Sequence, residues 1–335
     1  MGTGYTPGVG SAAPGRPGRS AGERTYTSGV NETPAQRATV EIPQGESGAR
    51  AAPVTIRTLG QMARRGEAFA CLTAYDATTA RWLERAGVPL LLVGDSAAEV
   101  ILGFKRTIDM PLGLAIALTA AVKRGAPNTL VMADMPFMSY QADEAHAIRN
   151  AGRFMTEGLA DVVKIEADAS FAPLVEKMTR AGIAVCGHVG SLPQRAALKG
   201  GYGSAGRTEG ELRRIVADAV ALERAGAVLL LVEAVPDEVT EAIIEATHVP
   251  LIGIGAGSAC HGQILVIQDL LGMTDHPPRF AEPVASLGPQ VLAAGRAWVD
   301  RVRRRQIGGQ RYLMRPSRAE ATSAPTPSAA PAGHR

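Results

Sequence analysis

Asp95, Ser96, Asp134, Lys164, Glu166, His188 and Glu233 have residue types and positions suited to chemistry. They fall at the ends of short apolar runs: "LLLVGDS" (90–96), "LVMADMP" (130–136), "VVKIEA" (162–167), "AVCGHVG" (184–190) and "VLLLVEA" (228–234). In an extended strand, residues two apart share a face, so Lys164 and Glu166 project together. Leaving either charge buried and unpaired would cost several kcal/mol. Asp76, closing "FACLTAYD" (69–76), follows the same pattern. A single strand-end carboxylate often does no more than cap the next helix. Here five of the first six runs end in carboxylates and the remaining one in His188, and that repetition marks a site.

Asp95, Asp134 and Glu166 come from neighbouring runs and form a hard, oxygen-rich set without cysteine, which favours Mg²⁺ over zinc. Mg²⁺ keeps water positions open, and a 2-oxo acid can fill them through its carboxylate and keto oxygens. The ion then acts as a Lewis acid toward an enolate formed by proton abstraction beside the carbonyl. Glu233 sits in the apolar context "LLLVEAVP", where burial raises its pKa and suits it to act as general base. Lys164 and His188 offer cationic or hydrogen-bonding groups to a substrate carboxylate or a developing oxyanion.

Such groups need a frame that brings strand ends together. Two more runs, "PLIGIGA" (250–256) and "QILVIQD" (263–269), complete a set of eight. Most intervals carry a helical pattern, such as "ADEAHAIRNAGRFMTEG" and "EGELRRIVADAVALERAG", and Gly87, Gly158 and Gly226 are placed as helix C-caps. Eight continuous apolar strands alternating with helices over about 230 residues predict a parallel sheet closed into an α/β, (β/α)8 TIM barrel, whose C-terminal strand ends share one mouth. A doubly wound open sheet is the structural alternative. "LGPQVLAAGRAWVDRVRRR" reads as a terminal helix with a basic end.

"GIGAG" (Gly253–Gly257) lies late in the chain and lacks GxGxxG spacing, so it reads as a tight turn after the seventh strand rather than a dinucleotide loop. His146, His248 and His261 read as surface or loop residues. Met132, Met135 and Met138 read as core or pocket filler.

With 335 residues, 46% hydrophobic and 20% charged, the chain has ample material for one large barrel. A net charge of +3 without an aromatic-laced basic block argues against nucleic acid. No apolar run reaches the roughly 20 residues of a membrane span. Cys71, Cys186 and Cys260 lie far apart, giving neither a zinc motif nor a disulfide framework, and point to a reducing cytoplasm. Composition divides the chain into a disordered tail (1–52), a catalytic barrel (53–310) and a second disordered tail (311–335) ending in "PSRAEATSAPTPSAAPAGHR".

Taken in order, "LTAYDATTARWLERAGVPLLLVGDS", "RGAPNTLVMADMPFMSY", "VVKIEA", "VCGHVGSLPQ", "GGY", "LLLVEAVP" and "PLIGIGAG" resemble the ketopantoate hydroxymethyltransferase family. The resemblance implies a barrel of the phosphoenolpyruvate mutase/isocitrate lyase-like type. It also implies Mg²⁺, 5,10-methylenetetrahydrofolate as one-carbon co-substrate, and hydroxymethylation of 3-methyl-2-oxobutanoate toward pantothenate. A cytoplasmic homo-oligomer, decameric by resemblance, is expected, with no nucleic-acid or membrane partner. Carried over by position, the resemblance puts Asp95, Asp134 and Glu166 around the metal. It puts Asp95, Ser96, Asp134 and Lys164 on the oxo acid, Glu233 at C3 as proton acceptor, and His188 in the lining.

The chain departs from the family pattern in its loops. "AAEVILGFKRTID" brings Glu99, Lys105 and Arg106 into a loop expected over the mouth, and the next helix carries Leu118 and Thr119. Gly203 and Ala205 replace a Lys and a Gln after "GGY", and "GGQRYLMRPSR" replaces an acidic-His ending. These changes leave open a paralogue acting on another 2-oxo acid or taking another one-carbon donor. A related Mg²⁺-dependent lyase or mutase working without folate is the other alternative. Such enzymes rely on a mouth-loop cysteine, for which only Cys260 is placed.

Overall fold

Eight parallel strands, paired in sequence order, close on themselves: β1 (Phe69–Thr73), β2 (Leu90–Val93), β3 (Leu130–Asp134), β4 (Val162–Glu166), β5 (Val185–Gly190), β6 (Leu229–Glu233), β7 (Leu251–Ile254) and β8 (Gly262–Leu265), with β8 beside β1. This computed structural model describes residues 52–309 and 312–314. The tails expected at 1–52 and 311–335 fall almost wholly outside the described residues. The helices are α1 (Ile56–Arg64), α2 (Ala77–Arg85), α3 (Ala97–Val100), α4 (Leu112–Gly125), α5 (Glu144–Thr156), α6 (Ala172–Arg180), α7 (Glu209–Arg224), α8 (Asp237–Ala246), α9 (Ile267–Leu270) and α10 (Leu287–Arg303). The closed barrel rules out the doubly wound alternative.

The two-residue period of the strands sorts their side chains. Leu90, Leu92, Leu130, Met132, Val162, Cys186, Leu229, Leu231, Ile252 and Ile264 form one apolar cluster inside the barrel. The alternate residues Leu91, Val93 and Val131 face outward onto Ala80 of α2 and Val122 of α4. Val163, Ile165, Val185, Leu230 and Val232 pack with α5, α6 and α7. Each large apolar side chain buried this way contributes about 1.5–3 kcal/mol. One or two steps further along the inward rows, Met132 is followed by Asp134, Val162 by Lys164 and Glu166, Cys186 by His188, and Leu231 by Glu233. The barrel floor is therefore apolar, and charge begins only at the mouth.

Four expectations are corrected. Asp76 is a helix cap: its carboxylate accepts the Thr78 and Thr79 N–H groups (2.8 and 2.9 Å) and the Thr79 hydroxyl (2.6 Å), so α2 takes it away from the mouth. The eighth run "QILVIQD" reads as continuous strand through Asp269, but β8 stops at Leu265 and α9 follows at once. Gly87 and Gly226 do adopt left-handed φ (81° and 100°), whereas after α5 it is Leu159 (φ 57°), not Gly158, that does so. "GIGAG" is the expected turn, with Gly255 and Gly257 at positive φ. Among the methionines, Met132 and Met135 are core, while Met138 is exposed.

Candidate active site

Asp95, Ser96, Asp134, Lys164, Glu166, His188 and Glu233 all line one cavity of about 1090 Å³ at the barrel mouth. Strand register sets their spacing. Asp134 lies level with Lys164, and Glu166 with His188, on adjacent strands, while Glu233 lies level with Gly190. Gly190 is required there. At φ 93° it presses against β6, and a Cβ would meet the Glu233 carbonyl at 2.7 Å.

Lys164 is buried, and its ammonium lies 2.9 Å from Asp134 Oδ1 and 3.3 Å from His188 Nδ1. Asp134 Oδ2 accepts the Asp95 N–H at 3.0 Å. Burial alone would push the ammonium toward neutrality, but Asp134, Asp95 and Glu166 outweigh it and hold its pKa above the usual lysine value. Burial raises the Asp95 carboxyl to about 6, with Asp134 adding to the rise and Lys164 opposing it. Glu166 is raised well above the ordinary range by burial and then by Asp95.

His188 is almost wholly enclosed, and burial, then the Lys164 charge, hold its pKa well below 6.5, so the ring is neutral. The ammonium has only donors to offer, so Nδ1 accepts and Nε2 carries the proton. Nε2 lies 3.4 Å from Glu233 Oε2. Glu233 keeps 22% of its side chain accessible, so it faces the cavity. Burial raises it to about 8, Lys164 opposes the rise, and Asp95 and Asp134 add to it. Behind it, Ala234 adopts φ 48°, a conformation costing a non-glycine residue about 1–3 kcal/mol. Two backbone bonds, to Ile254 O and from Ala205 N (both 2.9 Å), hold it there.

Two residues that no sequence pattern singles out, Gln194 and Tyr140, join these parts. The Gln194 side-chain amide donates to Asp95 Oδ2 (2.9 Å) and Met135 O (3.1 Å), while its backbone N–H reaches both oxygens of Glu166 (3.1 and 3.0 Å). Its Oε1 accepts from Gln141 Nε2 (3.1 Å) and lies 3.0 Å from Tyr140 Oη, which in turn accepts the Glu166 N–H at 3.1 Å. One glutamine thus spans Asp95 and Glu166. It lies in the quoted "VCGHVGSLPQ", and no periodicity distinguished it.

Among the described residues, no three His, Cys, Asp or Glu side chains converge closely enough to enclose an ion. Mg²⁺ does not require that, because it retains waters and takes one or two carboxylates together with substrate oxygens. The mouth suits such an ion: Asp95, Asp134 and Glu166 are oxygen donors in an apolar shell, and one ammonium cannot neutralise all three.

The loop departures resolve differently from expectation. Glu99 lines the cavity and accepts from Tyr202 Oη at 3.3 Å, and Gly203 lines it too. Arg106 instead pairs with Asp109 (2.6 Å) and, like Lys105, is exposed. Thr119 bonds Ala115 O within α4. Ser96 Oγ meets Tyr75 Oη at 2.8 Å. Cys260 is buried and no cysteine lines the cavity, so the thiol that a lyase reading needs is absent from the mouth. Among the described residues no helix is long and apolar enough to cross a membrane.

A family model described as ketopantoate hydroxymethyltransferase matches residues 53–309. A 3-methyl-2-oxobutanoate hydroxymethyltransferase of Halorhodospira halophila is 46% identical over 250 residues, covering 75% of this chain and 90% of the relative. One of the same description from Pyrobaculum aerophilum is 43% identical over 245 residues, covering 73% and 93%. Among solved structures, a 2,3-dimethylmalate lyase of the PEP mutase/isocitrate lyase superfamily aligns with TM-score 0.50 at 19% identity, covering 79% of this chain and 93% of that one. This last likeness shows the barrel type.

Proposed function

This chain belongs to the ketopantoate hydroxymethyltransferase family, and on that premise we propose how its barrel mouth performs hydroxymethyl transfer to 3-methyl-2-oxobutanoate. The observation that carries the reading is a single cavity in which a raised, cavity-facing carboxylate (Glu233) stands opposite a buried cluster of three carboxylates and one ammonium. Asp95, Asp134 and Glu166 hold a divalent cation of the Mg²⁺ type, which when bound supplies Lewis acidity toward the keto oxygen. Asp95 and Glu166 are pre-aimed by Gln194, and Asp134 by Lys164.

The Lys164 ammonium attracts the anionic oxo acid and orients it, with the Ser96 hydroxyl as a further contact. Glu233 accepts the proton from C3, and the electron pair of that C–H bond moves toward the keto oxygen. The neutral His188 keeps its Nε2–H on the Glu233 side, 3.4 Å from Oε2 and without a hydrogen-bond partner among the described residues, so the carboxylate stays free to turn to C3. C3 then forms a bond to a one-carbon unit at the oxidation level of formaldehyde. Donated by 5,10-methylenetetrahydrofolate with one water, this unit gives the hydroxymethyl group and leaves tetrahydrofolate. A cytoplasmic homo-oligomer completes the reading. Its oligomeric part is supported by α10, which has no buried residue and exposes Val291, Leu292, Trp298 and Val302.

The test uses the full chain with Mg²⁺ and 3-methyl-2-oxobutanoate in D₂O. Deuterium is expected at C3 without any folate, and 2-dehydropantoate on adding 5,10-methylenetetrahydrofolate. No exchange with this or any other branched 2-oxo acid would overturn the mechanism. Exchange without transfer would point to another donor.

A further inference from the structure

The proton-abstraction groups occupy only part of the cavity, the part under β2 to β6. The remainder lies over β7, β8 and β1 and is walled by Ile254, Ile264, Val266, Met273 and Phe280. At about 1090 Å³ the whole cavity matches the upper end of the range for drug-sized ligands, far more than a five-carbon oxo acid fills.

Three polar side chains in this second part make no hydrogen bond among the described residues. Asp269, on α9, is 6% exposed, lines the cavity and makes no side-chain hydrogen bond or ion pair among the described residues. Gln268 Oε1 and Thr274 Oγ1 are buried without a hydrogen-bond partner, and both residues line the same space. Buried polar atoms are ordinarily satisfied, so unsatisfied Gln268 Oε1 and Thr274 Oγ1, in one short segment with the cavity-lining Asp269 carboxylate, call for a ligand that brings donors. The segment is held in place: the Ile267 N–H bonds Thr73 Oγ1 of β1 at 2.9 Å, and Val284 N bonds Leu270 O at 2.9 Å. The turn "GIGAG" contributes to the wall. Gly255 has φ 58°, and a Cβ there would meet the Phe280 ring at 2.5 Å, so glycine is what lets that ring close against β7.

The chemistry of this part is mixed: Asp269 and Glu99 repel an oxo acid's carboxylate, while Arg279 and His276 line the same space with nitrogen groups. It fits a flat, neutral heterocycle with N–H donors along one edge. We infer that the Asp269 side of the cavity is the pterin subsite for the one-carbon donor, with the Asp269 carboxylate accepting the paired N3–H and 2-amino donors of a reduced pterin. The adjacent donors match the two oxygens of one carboxylate, as in guanidinium–carboxylate pairs. Gln268 and Thr274 accept from further ring N–H groups, and Phe280 provides an aromatic face. The ring then lies between apolar walls, with its methylene-bearing nitrogens toward the centre of the mouth, where C3 of the oxo acid waits.

This assignment rests on the reading of a reduced folate as donor. The test measures tetrahydrofolate binding by titration calorimetry, alongside folate-free C3–H exchange, for the wild-type chain, Asp269→Asn and Thr274→Val. Tetrahydrofolate is expected to weaken about 10–100-fold in Asp269→Asn and less in Thr274→Val, because hydrogen bonds to a charged group are the stronger ones. Exchange is expected to fall by a much smaller factor in both. Equal losses of binding and exchange in both variants would mean that the segment supports the chamber as a whole, and would overturn the assignment. Unchanged tetrahydrofolate affinity in both would also overturn it. A wild-type chain that exchanges the proton but binds no tetrahydrofolate would refute the donor reading itself, and the subsite with it.

Discussion

The two parts of the mouth are built on opposite principles. Under β2 to β6 the charged groups are interlocked: Lys164 with Asp134 and His188, Asp134 with the Asp95 backbone, and Gln194 with both Asp95 and Glu166, while His188 Nε2, on the Glu233 side, has no hydrogen-bond partner among the described residues. Over β8 and α9, among the described residues, Gln268 Oε1 and Thr274 Oγ1 are buried without hydrogen-bond partners and the Asp269 carboxylate makes no side-chain hydrogen bond. The first part resembles a machine assembled before substrate arrives, where preorganised charge carries the transition-state work. The second resembles a socket, since its hydrogen bonds are complete only when a ligand supplies donors. One barrel face can hold both because inward positions on neighbouring strands are fixed by register and not by mutual attraction.

The sharpest way to break this contrast is to remove the cation at the centre of the first part. Lys164→Met leaves Asp134, Asp95 and Glu166 uncompensated, and breaking a buried pair from one side costs about 3–5 kcal/mol. In chelator its thermal midpoint is expected to fall markedly, and Mg²⁺ is expected to restore part of the loss. A variant as stable as the wild type in chelator would show that the charges are not interlocked.

Next in size is Gln194→Ala. Partners that orient metal ligands typically govern cation affinity by 10–100-fold, and a weakening of about that size is expected in Mn²⁺ titrations, with tetrahydrofolate binding affected less. Equal weakening of both would merge the two parts into one.

The smallest effect is a titration. A general base must be deprotonated to act, and Glu233 is raised to about 8. The kcat/KM for the oxo acid should therefore climb as pH rises through about 8 and be lost below it. His188 is held neutral and should add no falling limb. A profile flat from pH 6 to 9 would remove Glu233 from the role.

Much of the first part was legible in the sequence, for a physical reason. An inward row that is apolar for one or two positions and then charged, as in Val162–Lys164–Glu166, has no economical explanation other than a polar chamber above a dry floor. Asp76 shows the limit of that inference: its carboxylate ends a run, as Asp134 does, but the Thr78–Thr79 backbone claims it. Asp269 shows the converse. Its run "QILVIQD" is continuous in hydropathy, so nothing in the letters marks the switch from β8 to α9 that turns this carboxylate into the cavity. Gln194 and Tyr140 were illegible because their importance lies in contacts between segments that are 54 residues apart in the chain.

The central claim is that Glu233 removes the C3 proton while Asp95, Asp134 and Glu166 hold the cation. It is tested most directly by Glu233→Gln, with C3–H exchange in D₂O and Mn²⁺ affinity measured on the same sample. Positioned acid–base groups typically contribute 10²–10⁴-fold, so exchange should fall by about that factor while cation affinity stays near wild type. Cation affinity lost in parallel with exchange would make Glu233 a ligand instead, and exchange retained at the wild-type rate would contradict the mechanism outright.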